Sequence, residues 1–191
     1  MIGQLPGAAA YRGVGRARDK AFSLLVARSF AAFGRHSVIQ PPARIVGERM
    51  IAIGAGAFIG ANSWLQVIED GDDSRVRLHV GDGTSIAGNC VLSAAQGVTI
   101  GRSVLLARNV YVSDHSHAFA DGDRAILDQG IERLAAVEIC DGAWLGQNTV
   151  VMPGVRIGAG AVVGANSVVT TDVLDRTVVA GAPARVLREL G

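Results

Sequence analysis

The chain has 191 residues, a length that suits a single domain. Hydrophobic residues make up 49% of it and aromatic residues only 5%, so its core must be built mainly from Val, Ile, Leu and Ala. The formal charge is +1, and no basic tract is interleaved with aromatic residues, which argues against nucleic acid as a partner. The sequence shows neither a signal-peptide pattern nor the roughly 18 consecutive apolar residues of a membrane span. Two cysteines without a CxxC pair favour a reducing, cytoplasmic setting.

Residues 16–34 predict an amphipathic helix in front of the main fold. Its apolar side chains cluster on one side: Phe22, Leu25, Val26, Phe30 and Phe33. Its basic residues are Arg16, Arg18, Lys20 and Arg28. The first interpretation of this helix is a cap over the open end of the sheet structure behind it. The alternative is peripheral attachment to a membrane surface.

From residue 38 onward, aliphatic residues recur at every sixth position. The early sets are short and separated by slips: Ile39, Ile45 and Ile51; Ile53, Ile59 and Leu65; Val80, Ile86 and Leu92; and Ile100, Leu106 and Val112. The interruptions fall at about 66–79, 93–99 and 113–138. Behind the last interruption the period continues without a miss: Ile139, Leu145, Val151, Ile157, Val163 and Val169. A small or β-branched residue stands four positions after each member of this last set.

A period of six fits neither a helix nor an ordinary two-sided strand. It predicts a parallel β-helix, in which three short flat strands make one coil of about eighteen residues. Successive coils would stack at about 4.8 Å, the normal spacing of strands. The aliphatic residue of each hexad would point inward, so each coil would bury its core only against its neighbours. A conventional β-sandwich is the competing fold, and the period alone does not fix the handedness of the coil.

Two of the four histidines, His115 and His117, lie in the motif SDHSH at 113–117. An imidazole suits general-base catalysis at neutral pH, because its ordinary pKa is about 6.5. The segment 117–138 that follows is polar, charged and too long for a turn, so it should project from the coil as a binding loop. Cys90 and Cys140 fall within coil repeats without a neighbouring base in the sequence, which makes them poor candidates for a nucleophile.

Three segments of the chain resemble the hexapeptide-repeat acyltransferases, in particular the galactoside and maltose O-acetyltransferases and the sugar O-acetyltransferases of polysaccharide biosynthesis. They are SDHSH at 113–117, DGAWLGQNTVVMPGVRIGAGAVVGANSVVTTDV at 141–173 and VVAGAPARVLREL at 178–190. The resemblance covers roughly residues 38–191. It implies a left-handed parallel β-helix that transfers an acyl group, expected to be acetyl, from acetyl-CoA to a hydroxyl group of a sugar or polysaccharide intermediate. Neither a covalent acyl-enzyme nor a metal is expected.

The resemblance also implies the acceptor side of the site. His115 is expected to be the general base that removes the hydroxyl proton. His117 is its competitor, because residues two positions apart share a face on an extended strand. Asn89, Asp114 and His117 are expected to contact the acceptor. Whether Asp114 also orients the imidazole is left open, because an adjacent side chain rarely turns back far enough.

The coenzyme A contacts implied by the resemblance are Trp144, Gly146, Ala165, Thr170, Arg185 and Arg188. The small residues would let the pantetheine arm approach the backbone, although each of them also suits a plain coil corner. The two arginines would bind phosphate. Thr171 stands where family members often have lysine, which removes one phosphate contact. Trp144 would line the slot or pack at a contact between subunits.

Residues 1–37 are assigned to the helical cap, 38–178 to the β-helix and 179–191 to a closing tail. The resemblance implies a homotrimer with its sites between subunits. N-acetylation of an amino sugar and a non-catalytic scaffold stay open as functions. A zinc protein like the γ-class carbonic anhydrases would need His79, His115 and His117 together. However, His79 directly precedes an inward position and His115 follows one by three, which argues against a shared zinc face.

Overall fold

A computed structural model describes residues 6–68 and 75–191 of the chain. The chain begins with one α-helix, α1 (Pro6–Val26), and a short 3₁₀ turn at Ala27–Ser29. The first coils contain β1 (Ala32–Phe33), β2 (Val38–Ile39) and β3 (Arg44–Val46); β4 (Ile51–Ile53), β5 (Phe58–Ile59) and β6 (Trp64–Val67); and β7 (Leu78–Val80), β8 (Ser85–Ile86) and β9 (Val91–Ala94). A second 3₁₀ turn, Glu48–Met50, separates β3 from β4.

The fourth coil contains β10 (Val98–Ile100), β11 (Leu105–Leu106) and β12 (Tyr111–Ser113). A projecting segment follows, with β13 (Ser116–His117), a 3₁₀ turn at Ile126–Asp128 and β14 (Ile131–Glu132). The last coils contain β15 (Val137–Ile139), β16 (Trp144–Leu145) and β17 (Val150–Val151); and β18 (Arg156–Ile157), β19 (Val162–Val163) and β20 (Val168–Val169). The chain closes with the antiparallel pair β21 (Thr177–Gly181) and β22 (Ala184–Glu189).

These strands form the three faces of a prism. Face A contains β1, β4, β7, β10, β15 and β18; face B contains β2, β5, β8, β11, β16 and β19, extended by β21 and β22; and face C contains β3, β6, β9, β12, β17 and β20. Every pair of neighbouring coils is joined by parallel strand pairing on each face, and only β22 joins face B in the antiparallel direction. The architecture is the left-handed parallel β-helix that the resemblance implied. Below, AB, BC and CA denote the prism edges between the faces.

The hexad residues fill the interior as predicted. On face B, for example, Leu106 pairs with Ile86 on one side and with Leu145 on the other. All three are fully buried, and the same holds for the inward positions of faces A and C in the middle coils. Ile45 is the exception and is half-buried, because β3 is the end strand of face C and has a neighbouring coil on one side only.

The long interruptions all occur at the CA edge. There the chain leaves β6, β9 and β12 of face C and returns to β7, β10 and β15 of face A. The interruptions predicted at 66–79, 93–99 and 113–138 are these same connections. Because the coils must keep their strand pairing on all three faces, extra residues can be inserted only where the chain turns from one face to the next.

The BC edge carries a column of asparagines that the sequence interpretation did not identify. Its members adopt left-handed backbone conformations with φ near 60°: Asn62, Asn89, Asn109, Asn148 and Asn166. Asparagine tolerates this conformation better than most residues do. The side-chain amide of Asn109 donates to Asn148 and that of Asn148 donates to Asn166, at 2.9 and 2.8 Å. The column therefore ties the turns of successive coils together.

The N-terminal helix differs in its bounds from the predicted 16–34. It ends at Val26, and the chain turns extended at Phe30, which is buried, before Phe33 enters β1. The rings of Phe30 and Phe33 pack together with centroids 5.4 Å apart. Burying these two rings in the first coil ends the helix early. Leu25, predicted to join the same apolar cluster, is 80% exposed instead.

Helix α1 lies over β2 of the first coil and is held there by polar contacts. The Ser23 hydroxyl accepts a hydrogen bond from the backbone N–H of Ile39 at 2.9 Å. The Gln40 amide donates to the Asp19 carboxylate at 2.8 Å. Across residues 6–68 and 75–191, no helix is both long enough and apolar enough to cross a bilayer.

The buried columns generate a stability prediction. Leu106→Ala removes a fully buried side chain from the fourth coil and should lower the free energy of unfolding by about 2–5 kcal/mol. The same change at Leu127, which is 85% exposed on the projecting segment, should cost less than about 0.5 kcal/mol. Urea unfolding of both variants at one protein concentration measures the difference. Equal losses would contradict the assigned interior of the coil.

Candidate active site

The Asp114 carboxylate occupies a pocket of backbone N–H groups at the CA edge. Its side chain is 0% exposed. The N–H of Ala95 lies 2.8 and 3.1 Å from its two oxygens, and those of Gln96 and Gly97 lie 2.8 and 2.5 Å from Oδ2. This position follows from the stacking of β9 on β12, which pairs Ser93 with Ser113 and so sets Asp114 beside the turn after β9.

The imidazole of His115 supplies a fourth donor to the same carboxylate. Its Nδ1 lies 2.8 Å from Oδ1 of Asp114, although the two residues are adjacent in the chain. The carboxylate can turn back because the backbone N–H groups of the neighbouring coil hold it in place. The question that the sequence left open, whether Asp114 orients His115, is therefore answered: it does.

The charge on Asp114 is stabilised despite its burial. Burial alone would raise the pKa of this carboxyl group. The hydrogen bonds from His115, Ala95, Gly97 and Gln96 together outweigh burial and lower the pKa below its ordinary value. Asp114 is thus an anion at neutral pH, and its oxygens can only accept a hydrogen bond from Nδ1–H. The Nδ1–H tautomer follows, which leaves the lone pair of His115 on Nε2.

Neighbouring groups hold the imidazole in this orientation. The Ser113 hydroxyl donates to the His115 carbonyl at 2.9 Å, accepts from the His115 N–H at 3.3 Å and lies 3.3 Å from Nδ1. Arg77 supports the turn that binds Asp114, since its Nη1 donates to the carbonyl oxygens of Ile68 and Ala95 at 3.0 and 2.8 Å.

The His115 side chain is 10% exposed. Its Nε2 makes no hydrogen bond to any residue that the structure describes, so this atom is free to bind a substrate.

Asp114 was expected to contact the acceptor, and the structure corrects this expectation. With no exposed surface and with both oxygens filled by donors, the Asp114 side chain cannot touch a substrate. Its contacts are with His115 and with the turn after β9. The sequence signal for these contacts was available in the register: Val112 stands twenty residues after Leu92, so the interruption at 93–99 lies next to the motif at 113–117.

The other predicted acceptor residues lie in different places. His117 is exposed on β13, where it pairs with Ile131 of β14, outside the coil but at the same CA edge as His115. Asn89 belongs to the asparagine column at the BC edge, with φ of 64° and its N–H bonded to the Ala61 carbonyl. One chain therefore does not bring Asn89 and His115 together.

The predicted coenzyme contacts also fall mainly on another part of the prism. Trp144 lies on face B and is 48% exposed, and Arg185 and Arg188 are exposed on β22 at the end of that face. Gly146 and Ala165 lie at the BC edge, on successive coils. A Cβ at Gly146 would stand 2.6 Å from the Ala165 nitrogen, so the stacking of the coils itself requires this glycine.

Thr170 is the exception among the predicted coenzyme contacts. It is exposed at the CA edge, where the chain leaves β20, on the same edge as His115 but two coils further along. The six residues named for the coenzyme are therefore distributed over two edges and one face of a single chain. They do not form one slot within it.

The zinc alternative would need His79, His115 and His117 side by side. Within residues 6–68 and 75–191, no group of three His, Cys, Asp or Glu side chains is placed to hold a metal ion. His79 is exposed on the outer side of face A, away from His115 and His117. Cys90 is fully buried, and burial raises the pKa of its thiol. A thiol with a raised pKa is a poor nucleophile.

Comparisons with known proteins place the chain among transferases. The family model "Bacterial transferase hexapeptide (six repeats)" matches residues 136–171. The chain is 39% identical to the putative lipopolysaccharide biosynthesis O-acetyl transferase of Escherichia coli (strain K12), over 51% of this chain and 53% of that protein. It spans about half the length of the first curated relatives that it matches.

Solved structures share the fold. Galactoside acetyltransferase in complex with coenzyme A superposes with a TM-score of 0.60 at 26% identity, covering 88% of this chain and 70% of that one. An N-acyltransferase from Bacillus cereus, in complex with dTDP and 3-hydroxybutyryl-CoA, gives a TM-score of 0.74 at 19% identity, over 88% of each chain. At that identity the second likeness concerns the fold alone.

One sequence match that covers most of the chain is to a galactoside O-acetyltransferase. The chain is 32% identical to the galactoside O-acetyltransferase of Escherichia coli (strain K12), over 87% of its own length and 67% of that relative. Its six-coil prism, the hexapeptide repeats and this match agree with one another, and the chain belongs to the hexapeptide-repeat acetyltransferase family.

Proposed function

We propose that this protein is an acetyl-CoA-dependent O-acetyltransferase that acts on a hydroxyl group of a sugar or of a polysaccharide intermediate, with His115 as the general base. The observation that carries the proposal is the contact between Asp114 and His115, with 2.8 Å between Oδ1 and Nδ1. It fixes the proton on Nδ1 and leaves Nε2 as a base. The names of the relatives, which include galactoside and lipopolysaccharide O-acetyl transferases, support a sugar hydroxyl as acceptor.

The transfer is direct. Nε2 of His115 takes the proton as the acceptor oxygen attacks the thioester carbonyl, which forms the C–O bond and a tetrahedral oxyanion. A backbone N–H group at the site stabilises that oxyanion. The C–S bond then breaks, and the imidazolium returns the proton to the departing thiolate of coenzyme A. Asp114 stabilises the imidazolium in between, because its anion stays hydrogen-bonded to Nδ1 throughout.

The donor is proposed to lie against face B and the BC edge. Trp144 offers an exposed ring beside the pantetheine arm, and Arg185 and Arg188 at the end of the face offer cations for the phosphates. Gly146 keeps the BC edge flat, so that the arm can approach the backbone of Ala165. Thr170 would contact the donor from the CA edge of another copy of the chain.

The separation of base and donor residues supports a homotrimer. His115 lies at the CA edge, whereas the face B group lies around the BC edge of the same chain. If three copies meet at their AB edges, face A of one copy packs against face B of the next. The CA edge of the first copy then lies beside the BC edge of the second. Leu105, exposed on face B, suits such a contact.

The assignment of the base is tested by substitution. His115→Ala should lower kcat for release of thiol from acetyl-CoA by about 10²–10⁴-fold, the usual contribution of a general base. His117→Ala tests the competing histidine: as an acceptor contact it should change KM, while kcat stays close to that of the wild type. The assay uses a panel of galactosides, other glycosides and amino sugars, with mass spectrometry to identify the acetylated atom. Full turnover by the His115 variant, or products acetylated only on nitrogen, would contradict the proposal.

The lowered pKa of Asp114 predicts a pH dependence of stability. As the pH falls toward the ordinary aspartate pKa of about 3.9, the unfolded chain binds a proton at Asp114. The folded chain binds that proton only at a lower pH, because the pKa of Asp114 is lowered there. The stabilisation is therefore complete above about pH 5 and is lost as the pH falls through the folded-state pKa. In Asp114→Asn, the free energy of unfolding should fall less steeply with acid than in the wild type.

Asp123→Asn, a change in the exposed loop, is the control for this measurement and should keep the wild-type slope. Urea unfolding at a series of pH values between about 3 and 6 gives the slopes for all three proteins. If the Asp114 variant and the wild type lost stability in parallel, the buried anion would not be present in solution.

The site between subunits is tested by mixing two inactive variants. His115→Ala lacks the base, and the double variant Trp144→Ala/Arg188→Ala lacks donor contacts. When the two are unfolded and refolded together, mixed trimers should contain some intact sites and regain activity. Separately refolded samples serve as controls. If trimers shown by native mass spectrometry to contain both variants recovered no activity, base and donor residues would have to act within one chain.

A further inference from the structure

Helix α1 carries apolar side chains on both its inner and its outer side. On the inner side, Phe22 and Val26 pack against the core. The residues that it buries against the first coil include Asp19 and Ser23, 5% and 2% exposed, whose side chains bond to Gln40 and Ile39. Three other large apolar side chains of the helix point to solvent: Val14, Leu24 and Leu25 are 71%, 68% and 80% exposed. A helix that only caps the coil would have polar residues on its outer side.

The exposed apolar residues form one continuous strip. Val14, Ala17, Ala21, Leu24 and Leu25 are spaced by three, four and seven residues, which places them on one side of a helix. We call these five residues the outer strip. Exposed cations border it on both sides, Arg16 and Lys20 on one and Arg18 on the other. This distribution, with a narrow apolar strip between basic margins, is typical of helices that lie in a membrane interface.

The charge of the surrounding region is strongly uneven. Residues 1–50 contain eight basic and two acidic residues, a formal charge of +6, whereas residues 51–191 contain ten basic and fifteen acidic ones, a formal charge of −5. All eight basic side chains of the first part are exposed. The positive charge is therefore concentrated on the helix and the first coil, at one end of the prism.

A groove lies between α1 and the first coil, next to the outer strip. It has a volume of about 620 Å³, and Leu24, Ala27 and Phe33 line it. Lys20 and Arg35 also border it, so cations stand beside its apolar wall. A groove of this kind suits a ligand that carries both an apolar chain and an anionic group.

We propose that the outer strip of α1 docks on the surface of an anionic phospholipid bilayer. The apolar side chains of the strip enter the interface, and the surrounding cations contact lipid phosphates. A second copy of this chain is the competing occupant of the strip. It fits less well, because two such ends would bring together regions that each carry a formal charge of +6. The cap and the docking surface use opposite sides of α1, so the helix serves both roles.

The test is co-sedimentation of the full-length protein with vesicles. Vesicles of phosphatidylcholine mixed with phosphatidylglycerol should bind the protein, binding should weaken as salt is added, and vesicles of phosphatidylcholine alone should bind it poorly. Arg16→Glu/Lys20→Glu should weaken binding by about tenfold or more. The matched control Arg108→Glu/Arg176→Glu reverses two exposed charges on the coil edges and should leave binding unchanged.

Leu24→Ser/Leu25→Ser should likewise weaken binding, while Leu127→Ser, at an exposed leucine of the projecting segment, should not. Binding that is absent, or that is equal in the helix and control variants, would overturn the proposal. Light scattering tests the competing occupant, a second copy of the chain. If Leu24→Ser/Leu25→Ser changed the oligomeric state, the outer strip would be a subunit interface instead. The vesicle measurement does not depend on catalysis, so its outcome is separate from that of the transferase proposal.

Discussion

Strand pairing between coils is the constraint on which the rest of this structure depends. The strands of the coils are two to four residues long, too short to be stable alone, and each gains its partners only from the coils on either side. Buried aliphatic columns and the asparagine column at the BC edge keep those coils in register. A residue added within a face would disturb the pairing of that face, so the chain makes its insertions at an edge. The CA edge takes all the long ones, and the candidate site lies there.

The position of the site at this edge explains its electrostatics. A buried carboxylate is costly unless donors surround it, and the turn after β9 offers three backbone N–H groups that point at Asp114. Those donors come from one coil and the carboxylate from the next, so coil stacking itself assembles the anion site. The fixed anion then determines which imidazole nitrogen of His115 carries the proton. The chemistry proposed for the site thus depends on main-chain geometry as much as on the side chains of the motif.

Much of the fold could be predicted because the period of six is a direct imprint of the coil on the sequence. The six hexad residues from Ile139 to Val169 were predicted to be interior residues, and all six are buried. The bounds of the helix were wrong, because periodicity did not show that Phe30 and Phe33 leave the helix for the core. At the site, the motif gave His115 but not the role of Asp114. That role needs contacts between residues 17 to 19 positions apart, which follow from the register of β9 on β12. The roles of His117 and of the coenzyme residues stay predictions, because no contact within one chain ties these residues to His115.

The projecting segment begins and ends at the same prism edge, between β12 and β15. Its length and composition can therefore change without altering the register of any coil. Asp114 and the turn that holds it belong to the coil side of this junction, so the base would keep its orientation through such changes. As a predicted binding loop, the segment would keep recognition of the acceptor structurally separate from the orientation of His115. Exchanging only this segment for one of a different length would be a rational route to new acceptors on an unchanged catalytic frame.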